Sequence, residues 1–175
     1  MRRVLALAVL LALPAGGCGD DDDDERVDLQ PADGVTVEAS PIVVGDEVMF
    51  DVTVTNSGDR PLGIVDPEDG GYTSDLDGGG LRMSLLRASA EGGSDAALPP
   101  DDGLYLAPGQ SVDRTARVNG GWSEPLPVEV EVCVEVITDD VRPDDGTASF
   151  PYRRPDDPIV AACTGRLTVA AGRGR

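Results

Sequence analysis

The chain has 175 residues, of which 33 are acidic and 14 basic, and its formal net charge is -19. All basic residues are arginine, and both lysine and histidine are absent. A surface this acidic repels phosphate backbones, so no nucleic-acid partner is expected. The missing histidine and lysine also exclude the usual triads, zinc sites, Schiff-base chemistry and lysine-containing phosphate loops.

Residues 1–17 have the features of an export signal. Two arginines precede an unbroken apolar run from Val4 to Leu13, and small residues follow. Ten apolar residues are too few to span hydrocarbon about 30 Å thick, which predicts a processed signal peptide rather than a transmembrane helix. With Cys18 next, the segment resembles the bacterial lipoprotein signal, although Ala15 replaces the usual leucine.

The resemblance implies cleavage before Cys18 and a lipid on its thiol. The membrane is then a partner through this lipid anchor, and the protein is exported to the cell envelope. The alternative is an ordinary secretory signal that contains a cysteine.

The three cysteines give a related constraint, because an odd number in an exported chain leaves one unpaired. If Cys18 is lipidated, Cys133 and Cys163 remain to form a disulfide in an oxidising compartment. Cys133 lies on the glutamate face of its strand, whereas Cys163 shares parity with residues that look core-facing, Ile159, Leu167 and Val169. Both cysteines therefore point to one face only if a bulge lies at Thr164–Gly165. We therefore predict a structural disulfide on the outer face of a sheet. A redox pair is not favoured, because the C-x-x-C spacing is absent.

Residues 18–34 are polar and acidic and include five consecutive aspartates. They cannot bury enough apolar surface to offset the entropy of ordering, which predicts an acidic disordered tether. The aspartates repel one another and lack a scaffold, so a solvated spacer is favoured over a metal site. The folded domain is predicted over residues 35–171, with residues 172–175 as a disordered tail.

From Val35 onwards, apolar and polar residues alternate in the pattern of half-buried strands. The clearest segment is VEVEVCVEV, residues 128–136, with valines on one face and mostly glutamates on the other. Turn sequences such as NSGDRP and APGQS separate these segments. The predicted strands are 35–39, 47–55, 61–65, 81–87, 111–118, 128–138 and 159–170. About seven one-sided strands predict a single all-β domain, an antiparallel β-sandwich.

The segment VGDEVMFDVTVTNSGDRPL, followed later by LAPGQSV, resembles the immunoglobulin-like domains of bacterial envelope proteins. The resemblance implies an Ig-like sandwich that binds or supports another, unknown envelope protein without catalysis. Similar spacing in the small domain of a bacterial proteinase-inhibitor family leaves an inhibitor-like or other ligand-binding module as the alternative. The turn motifs that carry the resemblance indicate fold more than function. No enzyme activity and no catalytic residue are predicted, because histidine and lysine are absent.

The loop DPEDGGYTSDLDGGG is a candidate calcium site, because calcium takes six to eight oxygen ligands. Its carboxylates are those of Asp66, Glu68, Asp69, Asp75 and Asp77. Their spacing matches neither the EF-hand loop nor the glycine-rich nonapeptide repeat. A solvated acidic loop is therefore the favoured interpretation, and no metal or cofactor is assigned.

Two loop segments are candidates for partner binding, since aromatic residues and arginine are favoured at interface centres. The candidate residues are Trp122 in NGGWSEPLP and Phe150, Tyr152, Arg153 and Arg154 in SFPYRRPDDP. The alternative is that the tryptophan covers the core and that the second loop packs on its own domain.

Overall fold

The computed structural model describes residues 29–76, 78–87, 101–138, 141, 147–151 and 157–171. These residues form twelve strands and one short 3-10 helix, Pro67–Asp69, and none of them belongs to an α-helix. The strands are β1 Leu29–Pro31, β2 Val35–Val44, β3 Glu47–Asn56, β4 Leu62–Ile64, β5 Tyr72–Asp75, β6 Leu81–Leu85, β7 Asp101–Leu106, β8 Ser111–Arg117, β9 Val128–Ile137, β10 Thr147–Phe150, β11 Ile159–Cys163 and β12 Leu167–Val169. Within this part of the chain, no helix has the length and apolar character needed to cross a bilayer.

Two sheets pack against each other, which confirms the predicted all-β sandwich. The small sheet has the order β2-β3-β8, with both pairs antiparallel. The large sheet is built around β9, which pairs with β11 and β12 along one edge and with β4 and β6 along the other. Outer strands extend this sheet through β1, β5, β7 and β10.

The core lies between the sheets and follows the period-two pattern of the sequence. Val130, Val132 and Val134 of β9 are fully buried, and they share the core with Phe50 and Val54 of β3. Burying each such side chain contributes about 1.5–3 kcal/mol, so alternation along these two strands alone supplies a large part of the driving force for folding.

The large sheet contains strands that the sequence does not predict, and two of its pairs are parallel. The additional short strands β5, β7 and β10 lack a sustained apolar alternation. The parallel pairs are β6 with β9 and β1 with β11. These two pairs differ from the predicted antiparallel arrangement. Alternation indicates which face of a strand is buried but not the direction of the neighbouring strand.

The domain begins earlier than the predicted boundary at residue 35. Strand β1 lies within the segment predicted as tether and pairs in parallel with Ile159–Ala161. The Ala32 N–H also donates to the Ala161 carbonyl at 2.9 Å. Pairing at a sheet edge uses backbone groups, which composition does not reveal, and this explains the difference.

The disulfide and its bulge are both confirmed. Cys163 lies opposite Cys133 in the β11–β9 ladder, with their Cα atoms 4.0 Å apart and the sulfurs bonded. Leu167 lies opposite Val130, so four steps along one strand match three along the other, and one extra residue is present. Thr164 pairs both backbone groups of Val132 at the bulge. Its Oγ1 accepts from the Val132 N–H at 3.0 Å, and its own N–H donates to the Val132 carbonyl at 2.9 Å.

Reduction of this disulfide is expected to lower the free energy of unfolding by about 3–4 kcal/mol, because the bond removes loop entropy from the unfolded chain. Urea denaturation of the oxidised and phosphine-reduced protein measures the change without altering side-chain volume. Equal midpoints would contradict a stabilising role for the bond.

Candidate functional site

The outer face of the large sheet carries a second buried group of residues, where the sequence pattern predicts solvent-exposed glutamates. We call it the outer cluster and define it as Arg87, Glu135, Phe150 and Ala161. Glu135 is only 3% exposed and Phe150 only 1%. Ala161 lies opposite Glu135 in the β11–β9 ladder and therefore shares its face. Strand β9 is thus covered on both sides in its second half.

An ion pair organises the outer cluster. The backbone N–H of Arg87 donates to Glu135 Oε2 at 2.9 Å, and its Nε donates to Oε1 at 3.2 Å. Another guanidinium nitrogen donates to the Pro151 carbonyl at 2.8 Å. The guanidinium carbon lies 4.8 Å from the centroid of the Phe150 ring, within range of a cation–π interaction. These contacts fasten the ends of β6 and β10 to β9.

Phe150, predicted as a partner-binding residue, is therefore buried beneath Arg87 and does not present its ring to a partner. Gly103 of β7 allows this packing, because a β-carbon there would clash with the Phe150 ring and with the Ile64 carbonyl. A glycine within a strand marks such a close approach of neighbouring atoms, but β7 is not among the strands that the sequence predicts.

Trp122 lies against the main core. Its ring is half-buried, 6.4 Å from the Phe50 ring centroid, and its Nε1 donates to the Glu124 carbonyl at 2.8 Å. This geometry corresponds to the core-covering alternative considered for this residue. The other candidates Cys18, Asp77, Tyr152, Arg153 and Arg154 lie outside the described residues.

The candidate calcium ligands have other structural partners. Asp66 caps the 3-10 helix by accepting from the Glu68 N–H at 3.1 Å, and Arg114 Nε donates to the same carboxylate at 3.2 Å. Glu68 lies 3.6 Å from the same nitrogen. Asp75 is exposed in β5, and among the described residues no three of these acids and Asp69 bring their carboxylates within ligand distance of one another.

A different trio does converge, but it lacks free thiolates. Glu131, Cys133 and Cys163 place their potential ligand atoms within 4.8 Å of one another. Both sulfurs are joined in the disulfide, and Glu131 accepts a hydrogen bond from Arg82 Nε at 2.9 Å. The trio is therefore a structural feature of the sheet surface.

A cleft of about 250 Å³ lies beside the outer cluster. Its lining includes Asp69, Tyr72, Arg87, Asp102 and Asn119. Tyr72 of β5, which lines the cleft, is 56% exposed. This volume is below the range of about 300–1,000 Å³ that is typical of small-molecule sites, so the cleft suits a single side chain.

The cleft lining includes two acidic residues, Asp69 and Asp102, together with Arg87, whose guanidinium is paired with Glu135. Asp102 Oδ1 also accepts a hydrogen bond from the Ser149 hydroxyl at 3.1 Å. This site could not be predicted from the sequence, because four separate segments of the chain build it. The one sequence signal is Tyr72, an aromatic residue within an acidic, glycine-rich loop.

Replacing Glu135 with glutamine is expected to destabilise the protein by about 3–5 kcal/mol, because it leaves the buried Arg87 charge without its partner. The matched control is Glu131→Gln, which breaks the pair between β9 and Arg82 of β6. That pair is 30% and 22% exposed, so its loss should cost less than about 1 kcal/mol. Urea denaturation measures the free energy of unfolding of both variants. Equal losses would contradict the distinction between the buried Arg87–Glu135 pair and the partly exposed Arg82–Glu131 pair.

Comparison of the chain with protein-family models, with curated proteins and with solved structures found no match.

Proposed function

We propose that this chain is a lipid-anchored protein of the cell envelope whose Ig-like β-sandwich binds or supports another envelope component without catalysis. The observation that carries the proposal is the disulfide between Cys133 and Cys163. It uses two of the three cysteines and leaves Cys18 as the remaining one, directly after the signal-like segment. A bonded pair also fits an oxidising compartment outside the cytoplasm.

The chemistry of the described surface supports binding over catalysis. The chain has no histidine or lysine, so only carboxylates, hydroxyls and arginine are available as polar catalytic groups. Three arginines of the described region, Arg82, Arg87 and Arg114, are engaged in ion pairs with acids. The cleft beside Tyr72 is small and is lined by this exposed residue, which suits recognition of a side chain more than enclosure of a reacting substrate.

The Ig-like assignment is part of the same proposal. It is supported by the two packed sheets and by the turn after β3. There Asn56 is buried, its side-chain amide donates to the Arg60 and Leu106 carbonyls, and its side-chain oxygen accepts from the Gly58 N–H. This residue fixes the corner NSGDRP, which is part of the segment that carries the resemblance.

Replacing Cys18 with serine is expected to release the protein from membranes, because serine offers no thiol for lipid transfer. Detergent phase partitioning, together with incorporation of labelled fatty acid, measures the anchor. The matched control is the double variant Cys133→Ala and Cys163→Ala, which should stay in the detergent phase. Continued partitioning of the serine variant into detergent would overturn the proposal.

A further inference from the structure

Strand β5 forms a free edge of the large sheet within the described part of the chain. It pairs with β6 through a hairpin, and all four of its residues are exposed. At its start, Gly71 already bonds on the opposite side, because its N–H donates to the Arg117 carbonyl at 2.9 Å and its carbonyl accepts from the Asn119 N–H at 2.7 Å. The chain then turns away after Asn119, so this pairing does not continue along β5.

Two residues of β5 direct their backbone groups away from β6. At the hairpin end, the Leu76 N–H donates to the Gly80 carbonyl at 3.0 Å, so the backbone groups of Leu76 point toward the β6 side of the hairpin. Backbone groups alternate in direction along an antiparallel pair. Thr73 and Asp75 therefore point their N–H and carbonyl groups outward, in the same direction as Gly71.

One of the two edge strands of the small sheet, β2, differs from β5. Strand β2 carries Pro41 in its middle, and proline lacks the N–H that an added strand would need. Strand β5 contains no proline, and its only charged residue is Asp75. Its free edge can therefore form backbone hydrogen bonds with an extended segment, and its charge selects a basic one.

Charge identifies the occupant of this edge. The whole chain carries -19, so two copies repel each other, whereas a basic segment is attracted. The cleft adjoins the edge, since Tyr72 belongs to both, and its lining includes the acidic residues Asp69 and Asp102. The Tyr72 side chain is 56% exposed, and an aromatic ring attracts the cation of an arginine or lysine side chain.

We propose that the free edge of β5 accepts an extended, arginine- or lysine-containing segment of a partner protein as an additional strand. One basic side chain of that segment enters the cleft beside Tyr72. Main-chain hydrogen bonds to Thr73 and Asp75 supply affinity, and the cleft supplies specificity. The inference rests on the proposed function as an envelope binding module and names the class of partner.

The test uses the full-length protein in neutral detergent and a fluorescent peptide that alternates arginine and valine. The Thr73→Pro variant removes one outward N–H and leaves the ladder to β6 intact. The matched control, Thr73→Ala, keeps the N–H and removes only the side chain. Anisotropy titration should show at least tenfold weaker binding for Thr73→Pro and less than a twofold change for Thr73→Ala, with unchanged thermal melting of both.

A second pair of variants keeps the proposal testable if the proline variant does not fold. Asp75→Arg reverses an exposed charge on β5, and Glu38→Arg does the same on β2. Binding should fall at least fivefold for Asp75→Arg and less than twofold for Glu38→Arg. Equal affinities within each pair would show unspecific charge attraction and overturn the proposal.

The outcomes separate this inference from the proposed function. Peptide binding requires no membrane, so failure of the Cys18→Ser test would remove the anchor and leave the edge proposal standing. Absence of peptide binding by a correctly anchored protein would overturn the edge proposal alone. A dimer in light scattering that Thr73→Pro abolishes would identify a second copy as the occupant and would also overturn it.

Discussion

The structure depends on strand β9, which is surrounded more completely than any other described strand. It exchanges backbone hydrogen bonds with four strands, β4, β6, β11 and β12. Its valines fill the core between the sheets, and its other face is closed by the outer cluster and the disulfide. The other strands of the large sheet are therefore held in place, directly or through a neighbour, by β9.

The Glu135 carboxylate is buried on the second face of β9, and an isolated buried charge is costly. Arg87 offsets this cost, because its nearly enclosed guanidinium forms an ion pair with Glu135 and also contacts the Phe150 ring. The same arginine then forms part of the cleft beside Tyr72. The arrangement that holds β6 and β10 to β9 thus also positions the surface that we propose for recognition.

The sequence predicts the regular parts of this fold and misses the irregular ones, for identifiable physical reasons. Alternation of valine and glutamate determines the inner face of β9, and parity together with a glycine predicts the bulge beside Cys163. Burial of Glu135 and Phe150 depends on Arg87, which is 48 residues from Glu135 along the chain, and no local pattern encodes that contact. The short strands β1 and β5 pair through backbone groups, which side-chain periodicity does not report.

The candidate site shows the same division. Trp122 and Phe150 were selected because aromatic residues are favoured at interface centres, but Trp122 covers the main core and Phe150 is enclosed beneath Arg87. Tyr72 was not selected because exposure of an aromatic residue is a property of the fold rather than of its neighbours in sequence. The acidic composition predicts a negatively charged surface, and the cleft lining includes the acidic residues Asp69 and Asp102.

The central claim is that β5 is an open edge on a sheet fixed by β9. Amide hydrogen exchange of the free protein, resolved by residue, tests this most directly, because exchange reports which N–H groups are bonded. We expect Thr73 and Asp75 to exchange rapidly, Ser74 to be protected by its pairing with β6, and Val132 and Val134 to exchange most slowly. If Thr73 and Asp75 were as protected as the amides of β9, the edge would already be covered and the account would be wrong.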